Sequence, residues 1–298
     1  AKDLTEEWAQ FKWLDESILG IRYITAFRNE YCIMGGFEGK QIIGHKNLER
    51  FRAKVDPYSF RVTKDDIGIL PKRYDDFTFD LSAEQLRYMR QMKKMFIAQI
   101  NDGTIATAQN GAVALIRLQQ IANGFYVDED GEMRRLVQGR DNPRIEALLD
   151  LLSSIKGKVV IWARFREDIK QIADALGEDC VTYYGATKDS ERKTAIDTFL
   201  SKDGARYFVS NPQAGGVGLN LQGACERAIY YSNSENSIDR WQSEDRIHRI
   251  GTTGGVVYTD LIAERSPDRK IINNIKRKRS ISDMALNEIK DIMEAIDG

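Results

Sequence analysis

The sequence is poor in the residues that most often mark metal and redox chemistry. It has 298 residues, with only three cysteines (Cys32, Cys180 and Cys225) and two histidines (His45 and His248). The cysteines are odd in number, far apart and without CxxC spacing, which excludes a zinc ribbon and argues for reduced thiols. Two histidines cannot build a histidine-rich metal site. No apolar run reaches the roughly 18 residues a membrane span needs, and no signal-peptide pattern opens the chain. Net charge is -1, so no global charge draws the protein to nucleic acid, and any basic surface must be local. These absences predict a soluble protein of the cytoplasm, or of the nucleus in a eukaryote, with no membrane contact. A phosphate-gripping GxxxxGK[ST] loop is also missing. The nearest approach, GGFEGKQ at 35–41, has one residue too few between glycines and Gln41 where Ser or Thr belongs. It reads as a hairpin around Gly35 to Gly39.

An apolar fraction of 42% is enough for a substantial core, and three stretches differ in pattern. Residues 1–80 mix short helices with that hairpin, and Tyr74, Phe77 and Phe79 alternate as in a strand. Residues 81–140 are helical: Ser82 with Gln85 has capping-box spacing. Leu86, Met89, Met92, Met95 and Phe96 then follow at helical intervals, a methionine-rich stripe read as core. A second helix runs through VALIRLQQIANGF, and VDEDGEM at 127–133 reads as a turn around Gly131. From 141 to 280 strands and helices alternate. PRIEALLDLLSSI starts a helix at Pro143, and KVVIWA, CVTYYG, ARYFVS, RAIYYS and GVVYTDLIA read as strands. That alternation predicts an α/β fold, a parallel sheet flanked by helices, with a mainly helical region before it. Residues 281–298 predict a final helix with Ala285, Ile289, Ile292 and Ile296 aligned.

Two segments carry candidate chemistry. In QSEDRIHRIG, residues 242–251, Arg246 and Arg249 lie on one side of a helical turn beside His248. Arginine presents a permanently charged fork that suits phosphate oxygens. The plainer reading of this segment is a solvated helix bridged by Glu244 and Asp245. In SNPQAGGVGLNLQGA, residues 210–224, Gly215, Gly216 and Gly218 let backbone NH groups approach an anion. The dinucleotide pattern GxGxxG fails there because its third position falls on Leu221.

Together, strand, GGVGLNL, strand and QxxDRxHRIG resemble motifs V and VI of helicase superfamily two in their SWI/SNF-type form. VVIWARF (159–165) resembles motif IV. YYGATKDSERKTAIDTF (183–199), SFRVTKDDIGILPKRY, the helices LSAEQLRYM and LIRLQQIANGF, and the opening LTEEWAQFKWLDESILG resemble further family segments, so the likeness covers nearly the whole chain. Details around LQQIANGF and SEDRIHRIG look closer to phage and bacterial members than to eukaryotic remodellers. The resemblance implies a RecA-like C-terminal lobe at 141–280, the end of a first lobe at 1–80 and a helical protrusion at 81–140. It further implies ATP and Mg, bound mainly by a first lobe whose Walker A and DExH parts lie outside this sequence. Arg246 and Arg249 would act as arginine fingers on the phosphates, oriented by Gln242 and braced by Asp245, with Gly216 and Gly218 beside the nucleotide. Arg164, Gln213, Gly215 and Asn220 would contact the backbone of double-stranded DNA. The chain alone would not hydrolyse ATP. Departures from the family pattern are Thr252 where glutamine usually follows HRIG, Arg164 where glutamine is common, Val62 for a paired arginine, and SPDRKI at 266–271. The implied function is that of an ATP-dependent duplex translocase or remodeller. A strand-separating helicase and an inactive DNA-binding adaptor are the alternatives.

Overall fold

The computed structural model describes residues 4–36, 39, 41–60, 68–104, 108–128, 130–215, 219–249, 252, 254–277, 289–290 and 293. The chain forms two compact units, 1–67 and 68–298.

In the first unit α1 (Leu4–Leu14), α2 (Glu16–Leu19) and α3 (Ile24–Tyr31) precede a hairpin of β1 (Cys32–Gly35) and β2 (Gln41–His45), then α4 (Leu48–Val55). The strands pair antiparallel, Gly35 opposite Gln41, as the hairpin reading of this segment expects. Asp15 caps α2 by accepting from the backbone NH and hydroxyl of Ser17. Phe27, Tyr31 and Phe51 form the core, with Phe51 edge-on to both other rings. Trp8 and Phe11 pack against this core, and the Trp8 indole donates to the Ile21 carbonyl. Trp13 stays 86% exposed.

The second unit is built on six parallel strands: β3 (Arg73–Phe79), β6 (Val159–Trp162), β7 (Cys180–Tyr183), β8 (Tyr207–Ser210), β9 (Arg227–Tyr230) and β10 (Val257–Ala263). Their spatial order is β3-β10-β9-β6-β8-β7. This is the RecA-like layered α/β arrangement. Side chains alternate between faces, as the period of a strand requires. Val159, Ile161, Val209 and Ile229 meet α7 (Pro143–Ser154) and α8 (Arg166–Leu176) on one face. Val160, Trp162, Phe208 and Tyr230 meet α9 (Asp189–Leu200), Leu219, Leu221 and Ile247 on the other. Because both faces are covered, the central strands are fully buried and read as predominantly apolar runs.

Strand β3 falls in the stretch that the sequence pattern groups with the first 80 residues. It is an edge strand of this sheet, in register with β10 from Arg73 opposite Val257 to Phe79 opposite Ala263. Helices α5 (Ala83–Asn101) and α6 (Ala108–Ala122) follow, then a small hairpin of β4 (Phe125–Val127) and β5 (Met133–Arg135). Ser82 and Gln85 form the capping box, and Gln85 Nε2 also caps α6 by donating to the Ile121 and Ala122 carbonyls. Met89 is buried, Met92 packs against the same cluster, and Met95 is exposed. Gly124 turns the chain out of α6 at φ 93°, and a side chain there would meet Asn142 and Val137. Helix α12 (Asp268–Lys276) adds Ile271 and Ile275 to the helical cluster, together with Ile289 and Met293. Ala285, Ile292 and Ile296 of the expected last helix lie outside the described residues.

Candidate functional site

The residues that the sequence singles out fall at opposite ends of the parallel sheet, all within the second unit. A four-residue helix, α10 (Pro212–Gly215), follows β8. Helix α11 (Ser237–Glu244) starts where the Asn236 side chain accepts from the backbone NH of Ile238, and it ends at Asp245. Positions 240, 243 and 244 face inward, as i, i+3 and i+4 neighbours on a helix do. Trp241 and Gln242 face outward.

Arg240 is buried and uses its whole fork. Nη1 and Nη2 reach the two oxygens of Asp260 in β10 at 2.6 and 3.1 Å, and Nη1 also reaches Asn233 Oδ1 at 2.8 Å. Nε donates to Glu244 Oε1 at 2.7 Å. The guanidinium lies over the Tyr230 ring, 3.4 Å from its centroid. Burial alone would lower the pKa of this group, but Asp260, Tyr230 and Glu244 hold it above the ordinary value. The other Glu244 oxygen accepts from Lys72 Nζ and from the Tyr74 hydroxyl, each at 2.8 Å. Burial, then the Glu244 charge, pushes the Tyr74 phenol up. Glu244 therefore does not bridge the motif's arginines on a solvated face, because its charge is spent inward on Arg240 and Lys72.

The turn 245–249 is pinned along its length. Tyr258 donates its hydroxyl to the Glu244 carbonyl at 2.7 Å. The Arg246 carbonyl accepts from the Leu221 NH at 3.1 Å, and Arg246 Nη1 donates to the Leu219 carbonyl at 3.3 Å. His248 is buried with Nε2 2.6 Å from the Leu70 carbonyl. Thr252, a departure from the family pattern, donates to the Ile247 and Arg249 carbonyls and accepts from the Arg249 NH. Asp245 is exposed and meets Lys72 at 3.2 Å. Arg246 is half-buried, while Arg249 and Gln242 are exposed. Gly215 closes α10 and Asn220 is exposed; Gly216 and Gly218 lie outside the described residues.

At the other end of the sheet, the loops after β6, β8 and β9 enclose a crevice of about 150 Å³ lined by Arg164, Phe165, Gln213, Glu235 and Asp239. It lies beyond the carboxyl ends of the strands, where the strand order crosses from β8 over β6 to β9. Parallel sheets place their ligands at such switch points. Arg164 is engaged there. Nη1 donates to Gln119 Oε1 at 2.9 Å, Nη2 lies 2.5 Å from Glu235, and burial draws the group's pKa down against the pull of Glu235. Beneath it Asp168 is fully buried, accepting from Ser232 at 2.5 Å and from Asn123 at 2.9 and 3.0 Å. Burial pushes its carboxyl up to about 7.

Sequence reasoning missed Arg240, Asp260, Asn233 and the part played by Lys72. The i, i+4 spacing of Arg240 and Glu244 was a usable signal, but nothing local points to Asp260. Among the described residues, no cluster of three or more His, Cys, Asp or Glu is placed to hold a metal. Glu244 and Asp260 are already neutralised by Lys72 and Arg240, and Asp245 pairs with Lys72, so the carboxylates at the arginine turn do not fit Mg. No helix of the described residues is long and apolar enough to cross a membrane.

Residues 143–251 match the family of helicase conserved C-terminal domains. Over 293 residues the chain is 25% identical to an uncharacterized ATP-dependent helicase of Mycoplasma genitalium, covering 96% of this chain and 27% of that protein. The chain thus spans about a quarter of that relative's length. In fold it resembles the C-terminal part of the Fun30 ATPase domain, with a TM-score of 0.61, 19% identity, and coverage of 76% of this chain and 97% of that one. It also resembles the Sulfolobus solfataricus SWI2/SNF2 ATPase core solved in complex with double-stranded DNA. There the TM-score is 0.54 and the identity 22%, covering 94% of this chain and 59% of that one.

Proposed function

We infer, for a chain that is a C-terminal portion of a SWI/SNF-type ATPase of helicase superfamily two, that it is half of an ATP-dependent motor tracking along double-stranded DNA. The observation that carries this reading is the arginine turn. Its backbone is held by Tyr258 and Leu221 and the side chains of Arg246 and His248 by the Leu219 and Leu70 carbonyls, while Arg249 is left exposed at its end. A rigidly mounted, exposed arginine suits delivery to a nucleotide gripped by another lobe, where it stabilises charge developing on the transferred phosphoryl group. Arg246 and Arg249 are assigned that role, with Gln242 orienting them and Asp245 bracing the turn. Gly216 and Gly218 are assigned to the nucleotide side. ATP is held mainly by the first lobe, together with the Mg ion that would neutralise its phosphates.

The crevice at the carboxyl ends of β6, β8 and β9 is assigned to the DNA backbone through Arg164 and Gln213, and Gly215 and Asn220, outside its lining, are assigned as further backbone contacts. A translocating protein must accept every sequence it crosses, so phosphate contacts rather than base readout are expected. Such a motor acts in the cytoplasm, or in the nucleus of a eukaryote. ATP hydrolysis by the full-length protein, with and without duplex DNA and beside residues 1–298 alone, tests the reading. Duplex-stimulated turnover in the full protein and none in the shorter chain are expected. A full-length protein that is folded but unresponsive to duplex would favour the adaptor alternative.

A further inference from the structure

Glu244 is the last residue of α11, directly before the turn that carries Asp245, Arg246 and Arg249. Its carboxylate is held from two sides, by Arg240 on one oxygen and by Lys72 and Tyr74 on the other. Arg240 is fastened in turn to Asp260 in β10 and to Asn233 in the loop after β9, and Lys72 reaches on to Asp245. Two cations and two buried carboxylates therefore fix the base of the turn to three separate elements. Their charges cancel within the cluster. Burying three of these four charges is a poor route to stability, because desolvation offsets most of their attraction and apolar side chains would serve as well. A two-pronged arginine between two carboxylates does, however, admit very few orientations. The cluster is better suited to setting a geometry than to strengthening a core.

We propose that Arg240 and Lys72 are positioning residues which, acting through Glu244, hold the arginine turn at the angle from which Arg246 and Arg249 meet the phosphates. This rests on the arginine-finger reading above. Misplacing a catalytic group by about 1 Å can cost on the order of 10²-fold in rate. Loosening the cluster without unfolding the lobe should therefore slow turnover, and leave the binding of ATP and duplex in place.

The test compares Lys72→Gln, Lys72→Arg, Arg240→Lys and Arg249→Ala in the full-length protein. It reads kcat and KM for ATP at saturating duplex, the duplex dissociation constant and the melting temperature. Lys72 sits at the rim of the cluster with its side chain 19% exposed, and Glu244 keeps Arg240 when Lys72 is replaced, so the fold is expected to be disturbed less than by replacing the buried Arg240. Lys72→Gln and Arg240→Lys are expected to lower kcat roughly tenfold to a hundredfold, with KM and duplex affinity changed by less than about threefold. Lys72→Arg, which keeps the charge, should restore most of the rate. Unchanged kcat in both Lys72→Gln and Arg240→Lys, beside an inactive Arg249→Ala, would overturn the positioning role and leave the finger reading standing. Turnover that survives Arg249→Ala would instead remove the finger reading. A loss of kcat in Lys72→Gln that only tracks losses of melting temperature and duplex affinity would reduce the cluster to a part of the fold, and so also overturn the proposal.

Discussion

Arg164 gives its guanidinium to Glu235, at 2.5 Å, although it lines the crevice assigned to DNA. A phosphate approaching this crevice meets a cation that is already neutralised, with Asp239 also on the rim. Glu235→Gln should release that cation, tighten duplex binding and steepen the slope of log K against log salt by about 0.9, the value of one added phosphate contact. Adding Arg164→Ala should cancel both changes. Binding titrations across salt concentrations check this, and an unaltered slope in Glu235→Gln would detach Arg164 from the DNA face.

Much of the fold could be read from the sequence wherever burial is symmetrical or a cap is local. VVIW is apolar throughout, and YFVS is apolar up to Ser210, because α7 and α8 cover one face of the sheet and α9 the other. Ser82 with Gln85, by a local capping box, and Pro143, at the first turn of α7, announce helix starts. What stayed hidden depends on partners far along the chain. The alternation of Tyr74, Phe77 and Phe79 signals a strand, but not that its neighbour is β10. Arg144 and Arg240 look like surface residues by type, yet both are buried because Asp268 and Asp260 come to meet them. The arginine turn was legible as a motif. Its mounting was not.

Asp168 should make stability depend on pH. Folded, its carboxyl keeps a proton up to about pH 7 because it is buried; its ordinary value is 3.8. Between those values the folded form binds a proton that the unfolded form has released. The contribution is therefore full below about pH 4 and is lost as pH rises towards 7, at up to about 1.4 kcal/mol per pH unit. Denaturant titrations of the wild type and Asp168→Asn at pH 5, 6 and 7.5 should show the two diverging as pH rises, with the variant losing less stability. Parallel profiles would mean that the carboxyl is ionised throughout.

Arg144 should be among the most costly residues to remove. It donates from Nη1 to the Tyr231 and Leu261 carbonyls and pairs through Nη2 with Asp268, so it ties α7 to the ends of β9 and β10 and to the start of α12. Arg144→Met leaves Asp268 buried without its cation, which typically costs about 3–5 kcal/mol. The pair Arg144→Met with Asp268→Leu should recover part of that loss. Equilibrium denaturation reads both values, and a loss below about 1 kcal/mol in the single variant would contradict the assignment.

Delivery of Arg249 to a nucleotide bound elsewhere in the same protein is the role proposed for the arginine turn. It is tested most directly by ATP hydrolysis of full-length wild type and Arg249→Ala, each with and without duplex DNA. Duplex-stimulated turnover in the wild type and a fall of about 10³–10⁵ in kcat in the variant, at unchanged melting temperature, are expected. A folded variant that hydrolyses ATP at the wild-type rate would contradict it.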